Sequence, residues 1–538
     1  MKQGSEVWKE FCSFFDKSFD EQMKLNQEQN NLLFNGWKKT KGADHFCPHG
    51  VDNFEDIPLT TYDDYPILGE FGKEVEQLNN TVPQREEDDL WDHYLRLGKK
   101  TSSVLDGWMT DDFGLCCKTS GTSGRSKWFV HGEGFVRIGL KNIMAFMAMG
   151  CSEGWGGTGL KKGLKMLNIS GPTPYISNMV NKAALEYGLE VVPPLRVTEK
   201  TADMREKIMI SLKLIEQGER IDIAGGIASA FHMACRYFTD RAALYRDFYQ
   251  SMDFGTQKMA LYMMWLHQSL FGKKYGKAKE IMPLKAMALG GFDTEIYAAY
   301  LEDQFGVEPL NVYGSTETGF VMFGTPDRKR DLMPLLNSGH FEFATENGQV
   351  KKISELEKDE IYELVYTPFH SLLVRYQMGD LFKVVHFRDG GLPVLSFESR
   401  KSDVLDFFAY FRLSESLAAK ILTRAGLPPT DKWVFVKELE PDEHLSLLME
   451  REWSLSEQEA SRKIFDALLE LNPFFGNYVK DFGIKDPWKI IRVTYLQKGA
   501  FMRYIMLRAK EGAELGQIKP IKLITPKNRK IAETLKRV

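Results

Sequence analysis

The sequence predicts an α/β protein with a large N-terminal domain, residues 1–398, and a smaller α+β domain, residues 399–538. Three observations carry that expectation. From about Cys116 to about Glu398, apolar runs of strand length alternate with amphipathic helical windows, the pattern of a parallel or mixed sheet covered by helices. After Arg400 the pattern restarts with its own helices and strands, enough for a domain of about 140 residues. The 538 residues include 36 Phe and 10 Trp, ample material for more than one core, which excludes a disordered chain.

The first hundred residues read as helical and polar, interrupted at Ile57–Asp64, where Pro58 breaks the pattern into a connector. Strands are expected at Leu164–Ser170, Leu284–Gly290, Glu360–Thr367, Leu381–His386 and Val394–Glu398, and helices at Asp203–Gln217 and Thr294–Phe305. Between 360 and 398 the strands are separated by short turns such as Asp389-Gly390-Gly391, so a meander or small barrel-like region is expected there. In the C-terminal domain we expect helices at Leu413–Thr423 and Ser456–Leu471. Strands are expected at Trp433–Leu439, Lys489–Tyr495 and around Tyr504–Leu507. Alternating strands and helices direct attention to strand-to-helix loops as ligand sites.

Composition narrows the function. Lys and Arg number 70 against 74 Asp and Glu, a net charge of −4, which argues against a dedicated nucleic-acid binder. Six Cys without paired spacing do not make a secreted disulfide scaffold. No apolar run approaches a membrane span, and the start MKQGSEVWKEFC lacks the features of a signal peptide. The expectation is a cytoplasmic enzyme with no nucleic-acid and no membrane partner. Residues 501–538 hold ten Lys/Arg and three Asp/Glu; this end is either a solvated basic face or one that approaches a polyanion.

Four short segments carry chemistry. Lys118-Thr119-Ser120-Gly121-Thr122-Ser123-Gly124-Arg125-Ser126-Lys127 packs hydroxyls, two glycines and three cations into ten residues. Glycines let successive backbone N–H groups converge, hydroxyls add donors, and Lys127 can neutralise a β- or γ-phosphate. The spacing is not that of a Walker A loop, and an ordinary Ser/Gly/Thr surface turn has the same composition. Val312-Tyr313-Gly314-Ser315-Thr316-Glu317 follows an expected strand and ends in a lone acid. A Glu there can hold Mg²⁺ that bridges nucleotide phosphates, and Tyr313 can lie against a base. Arg375-Tyr376-Gln377-Met378-Gly379-Asp380 sets an Asp at a Gly turn, suited to two ribose hydroxyls, and Ser399-Arg400-Lys401-Ser402-Asp403 is a charged junction at the domain boundary. An acid beside a Gly turn is most often a cap; the order of all four together is harder to obtain by chance.

TSGTSGRSK, YGSTE, YQMGD and SRKSD, in that order, resemble the nucleotide motifs of the adenylate-forming ligase superfamily. Within it the sequence is most similar to the Gretchen Hagen acyl acid amido synthetases. Leu332-Met333-Pro334 with Phe341-Glu342-Phe343, Ile361–Thr367 running into Arg375–Asp380, and Gly512-Ala513 with Gln517-Ile518-Lys519-Pro520 carry that narrower resemblance. Ile57–Asp64 resembles the family's Pro-containing entry segment.

The resemblance implies ATP and Mg²⁺ as cofactors, a small carboxylic acid as substrate, and an acyl-adenylate intermediate passed to an amine or amino acid. The wider superfamily implies coenzyme A as the alternative acceptor. It further implies that Ser120, Gly121, Thr122, Ser123, Gly124 and Lys127 hold the phosphates. Glu317 holds the metal, Asp380 takes the ribose, and Tyr313 with Gly314, Ser315 and Thr316 packs the nucleotide. Gly290 and Gly291, closing the run Leu289-Gly290-Gly291-Phe292, are carried as further binding residues. Arg400 and Lys519 complete the catalytic set, with Lys530 as the alternative lysine. Gln377 stands where many superfamily members have a cation, and Arg375 is considered as its substitute.

Other clusters are set aside. His45-Phe46-Cys47-Pro48-His49 has no second ligand group nearby and reads as a loop. Cys116-Cys117 reads as a buried strand end, and Met144–Met149 as a buried helix that can also line an acyl pocket.

Overall fold

The structure, a computed structural model, describes residues 2–538 except 86–88, 120–125, 169–172, 199–203, 252–254, 273–274, 292–293, 389, 402–403, 408–410, 441–442, 482–483 and 511–520. The chain forms two compact units. The first comprises Met1–Ile227, Met282–Gly291 and Val307–Ser396; the second comprises Ala228–Ile281, Phe292–Gly306 and Phe397–Val538.

Five helices open the first unit: α1 (Lys2–Cys12), α2 (Phe19–Trp37), α3 (Lys41–Phe46), α4 (Pro66–Thr81) and α5 (Leu90–Thr101). A capping box of Ser18 and Glu21 starts α2. Its buried Asn26 donates to the carbonyls of Leu336 and Gly339, both at 2.7 Å, which explains a polar residue inside the core. An antiparallel hairpin follows, β1 (Phe113–Lys118) and β2 (Trp128–Gly132), then α6 (Glu133–Gly150). Met144–Met149 are buried in α6, and Cys116 and Cys117 are buried in β1, as read from sequence.

The strands β3 (Lys165–Asn168), β4 (Glu190–Val192), β5 (Ile223–Gly226), β6 (Ala286–Gly290) and β7 (Leu310–Ser315) lie parallel in the spatial order β4-β3-β5-β6-β7. Helices α7 (Met179–Tyr187), α8 (Leu195–Thr198) and α9 (Met204–Glu216) intervene between them in the chain. This is a doubly wound order, whose ligand crevices lie at the carboxyl ends of the strands. At the other end, the side chain of Asp222 accepts from the Lys165 amide (3.1 Å) and pairs with Arg220 (2.8 Å) and Lys285 (3.1 Å). One carboxylate therefore ties the starts of β3, β5 and β6.

Beyond β7 the sheet turns antiparallel through β8 (Gly319–Thr325) and β9 (Arg328–Pro334). It continues with β10 (Gly339–Ala344), β11 (Val350–Lys352), β12 (Ile361–Pro368), β13 (Tyr376–Phe387) and β14 (Pro393–Arg400). The meander expected over 360–398 is β12-β13-β14, and it shares one sheet order with the parallel strands.

The second unit contains α10 (Ala228–Thr239), α11 (Arg241–Ser251), α12 (Thr256–Phe271) and α13 (Thr294–Phe305). With them go β15 (Leu405–Phe407), β16 (Phe411–Leu413), α14 (Glu415–Arg424), β17 (Trp433–Glu438), β18 (His444–Glu450), α15 (Glu457–Leu471) and α16 (Pro473–Asp481). The last elements are β19 (Ile491–Leu496), α17 (Ala500–Lys510), β20 (Leu523–Ile524) and α18 (Arg529–Arg537). Its sheet has the order β19-β18-β17-β20. Both faces are covered: Trp433 and Phe435 pack with Ile464, Leu468 and Phe475, whereas Val434 and Val436 pack with Ala500, Phe501 and Leu535.

The strand expected around Tyr504–Leu507 is instead part of the helix α17. Ala500 and Phe501 are buried and Tyr504 packs against the same cluster, a helical spacing that a short apolar run does not reveal by itself. Among the described residues, no helix is long and apolar enough to cross a membrane.

Candidate active site

The glycine-rich segment is the connection between β1 and β2. Cys117 pairs with Phe129 and Lys118 with Trp128. Beyond them Thr119 and Lys127 close the base, with the Thr119 amide donating to the Lys127 carbonyl (2.8 Å) and the Lys127 amide to the Thr119 hydroxyl (2.9 Å). Ser120, Gly121, Thr122, Ser123 and Gly124 lie outside the described residues. Lys127 is exposed, and its ammonium lies over the Tyr62 ring, 4.7 Å from the centroid. A cation held on a ring face keeps its charge while its position is restrained.

From Tyr62 an aromatic chain runs inward: Tyr62 to Phe129 at 5.2 Å and Phe129 to Tyr376 at 6.2 Å, both edge-on. Burial first, and then the charge of Glu317, pushes the Tyr376 hydroxyl above its ordinary range. The same two causes, together with Cys116, raise the Cys117 thiol, so this cysteine is inert as a nucleophile. The Glu317 charge thus acts on both Tyr376 and Cys117. The Pro-broken connector joins here as well. The Thr60 amide donates to the Arg375 carbonyl (3.0 Å), and the Gln377 amide donates to the Thr60 carbonyl (2.8 Å).

Glu317 sits half-buried in the turn 316–318 between β7 and β8. Three features shape that turn. Gly314 is required because a Cβ there would stand 2.6 Å from the Gly319 carbonyl oxygen. The Ser315 hydroxyl accepts from the Thr318 amide at 3.2 Å. His131, fully buried in β2, bonds the Thr316 carbonyl through Nε2 at 2.9 Å, and this nitrogen must be the donor because a carbonyl only accepts. Burial lowers His131 to about 4, so its imidazole is neutral at neutral pH, stacked at 3.8 Å on Phe135.

Across the sheet, the Tyr313 hydroxyl donates to Asp380 Oδ2 at 2.6 Å, and the Tyr313 ring stands edge-on to Phe382 at 4.8 Å. Asp380 is buried just after Gly379, whose φ of 70° lies in the left-handed region. Gly290 pairs with Val312, and Gly291 (φ 118°) follows. The ends of β6 and β7 are therefore adjacent.

Sequence reasoning directed attention to strand-to-helix loops, but both motif loops here join antiparallel strands. Arg375 is not the substitute phosphate cation. It is buried, makes two 2.9 Å bonds to Glu342, and donates to the Glu55 and Ile57 carbonyls. Its φ of 43° is left-handed, a conformation that this network holds in place. Arg400 ends β14, exposed, in the second unit; Lys530 is exposed in α18; Lys519 lies outside the described residues. His131, Tyr62 and Tyr376 were missed, since a lone His or Tyr on a strand carries no sequence signal of what it touches. The family-like run into Arg375-Tyr376 was the nearest hint.

No group of three or more His, Cys, Asp or Glu among the described residues could cage a metal. A single carboxylate, Glu317, fits a Mg²⁺ held mainly by substrate phosphates and water.

Residues 332–400 match the GH3 family central domain. AtGH3.15 acyl acid amido synthetase, in complex with 2,4-DB, superposes with a TM-score of 0.64 at 16% identity, covering 96% of this chain and 95% of that one. A second structure of the GH3.15 enzyme gives 0.63 at 18% identity over 96% and 93%. 2-Hydroxyisobutyryl-CoA ligase in the postadenylation state gives 0.56 at 11% identity over 99% and 94%. No curated protein matches the chain by sequence. The chain therefore shares its fold with these solved enzymes, and its residues 332–400 match the GH3 family central domain.

Proposed function

We propose that the protein uses ATP to adenylate a small carboxylic acid and passes the acyl group to an amine or amino acid. The observation that carries this reading is the near-complete superposition on an acyl acid amido synthetase. Lys127, Glu317 and Asp380 support it, grouped around one aromatic chain and one pair of strand ends.

In this reading Lys127, restrained by Tyr62, neutralises phosphate charge, and the loop 120–124 supplies N–H and hydroxyl donors. Glu317 holds the metal, which screens charge on the reacting phosphate when bound. His131 keeps the Glu317 turn in place as a neutral donor. Asp380 orients the ribose hydroxyls with Tyr313 as its partner, and Gly290, Gly291, Gly314, Ser315 and Thr316 leave room for the nucleotide. These residues position and neutralise rather than form covalent intermediates. Arg400 and Lys519 are assigned to the second half of the charge clamp, Lys530 being the alternative, with residues 399–403 as the hinge between domains 1–398 and 399–538.

The test is carboxylate-dependent pyrophosphate release over a panel of acids, each with amino acids or coenzyme A, and product mass spectrometry. An acyl amide is expected, with its formation strongly reduced in Lys519→Ala. A thioester without consumption of any amine would replace this reading by an acyl-CoA ligase.

A further inference from the structure

Arg375 stands just ahead of β13 with φ at 43°, a left-handed backbone that residues with a Cβ rarely adopt. Its side chain is 7% exposed, and its bonds reach three parts of the chain. Nε and Nη2 donate to the two carboxylate oxygens of Glu342 on β10. Nη1 donates to the carbonyls of Glu55 and Ile57, where the Pro-broken connector begins. The Arg375 amide donates to the Thr367 hydroxyl near the end of β12 at 2.8 Å, and its carbonyl accepts from the Thr60 amide at 3.0 Å. One residue therefore holds the connector twice, through its guanidinium and through its own carbonyl.

What the connector carries gives this attachment a use. Thr60 pairs in parallel with Tyr376, and its hydroxyl donates to the Val374 carbonyl at 2.6 Å. Two residues beyond Thr60 comes Tyr62, whose ring bears the Lys127 ammonium and whose hydroxyl accepts from the Trp128 amide at 3.3 Å. On the other side of the junction, Tyr376 opens β13, which carries Asp380 to the Tyr313 hydroxyl. The Lys127 arm and the Asp380 arm therefore meet where Arg375 is bonded. A guanidinium spreads five N–H donors in one plane and can serve a carboxylate and two carbonyls together, which the point charge of an ammonium cannot. A buried ion pair adds little stability over apolar side chains of the same size, and backbone strain collects where function holds it. Both features point to positioning rather than to stability.

We propose that Arg375 is a positioning residue for the nucleotide. It clamps the connector to the start of β13, so that Tyr62 with Lys127 and Tyr376 with Asp380 keep one spacing, matched to the phosphates and the ribose of a single bound nucleotide. The inference rests on the ATP reading above and adds to it a buried residue that acts through others.

Steady-state pyrophosphate release by the full chain tests it, with ATP and the carboxylic acid each varied in turn. In Arg375→Lys the KM for ATP should rise about tenfold, whereas the KM for the carboxylic acid should change by less than about twofold. Arg375→Gly, which permits the left-handed backbone without the guanidinium, should show the same split. In a Tyr62→Leu background the ring that the clamp places is gone, and Arg375→Lys should add less than about twofold to the KM for ATP. Should the single variants unfold, Arg375→Met with Glu342→Leu replaces the buried pair by apolar side chains, an exchange that such pairs tolerate, and carries the same expectation. An unchanged KM for ATP, an equal rise in both KM values, a loss confined to kcat, or an undiminished effect in the Tyr62→Leu background overturns the clamp and leaves the ATP reading standing. Unsubstituted protein that releases no pyrophosphate with any acid of the panel overturns the ATP reading, and the clamp with it.

Discussion

Lys127 and Glu317 differ in what fixes them. Among the described residues the Lys127 ammonium rests on a ring face, so Lys127→Ala removes a charge and leaves the packing intact. Glu317 belongs to a turn whose backbone is held by His131 and Ser315, so Glu317→Ala leaves the turn in place. Each change should reduce adenylate formation by a factor of about a hundred or more, the loss expected for a preorganised charge contact. Pyrophosphate exchange at the unmodified rate in both variants would remove the nucleotide assignment. Arg375 and Glu342 are the opposite case, paired and buried with 7% and 3% side-chain exposure. Burial raises the Glu342 carboxyl even against the nearby guanidinium, so the pair is held by geometry rather than by cheap solvation. Glu342→Gln leaves a buried cation without its counter-charge and should cost about 3–5 kcal/mol. Urea unfolding reads this, and a change below about 1 kcal/mol would show the pair to be solvated.

At the scale of elements, the residues proposed to meet the nucleotide lie on two connections between antiparallel strands rather than on strand-to-helix loops. The β1–β2 connection is closed at its base by Thr119 and Lys127, and the β7–β8 turn by the glycine at 314 and the His131 bond. Gly314→Ala forces a methyl toward the Gly319 carbonyl and the Phe320 ring. The strands must part, at a cost of about 1–3 kcal/mol, and the Glu317 carboxylate moves with them. Lowered thermal stability together with lost adenylation is the expected result. Unaltered melting and activity would mean that the turn absorbs a side chain.

Across the whole molecule, three histidines share one property. Burial lowers His131, His232 and His340 to about 4 each, well below the ordinary 6.5. In the unfolded chain they protonate near 6.5, and in the folded chain only near 4. Between those values the unfolded state binds more protons, so stability rises with pH across that window and falls as pH drops through it. Denaturant midpoints measured from pH 7.5 to 4.5 should fall steadily. A flat profile would place these rings in contact with solvent. His131→Asn should flatten part of the slope, because one of the three groups is then absent.

The sequence by itself determined the fold class and the strand and helix alternation, and it supplied the ordered motifs from which the site is proposed, because those properties are written in local periodicity and in glycine and hydroxyl spacing. It assigned a buried helix at Met144–Met149 and buried thiols at Cys116 and Cys117 for the same reason: continuous apolar stretches bury. It predicted a strand at Tyr504–Leu507, where α17 is helical, since four apolar residues fit either period and packing against Ala532 and Leu535 chose between them. Only the tertiary structure decided that Arg375 is consumed by Glu342, that His131 holds the Glu317 turn, and that Tyr62 steadies Lys127. Each of those contacts joins residues tens to hundreds of positions apart, and no local pattern encodes the partner.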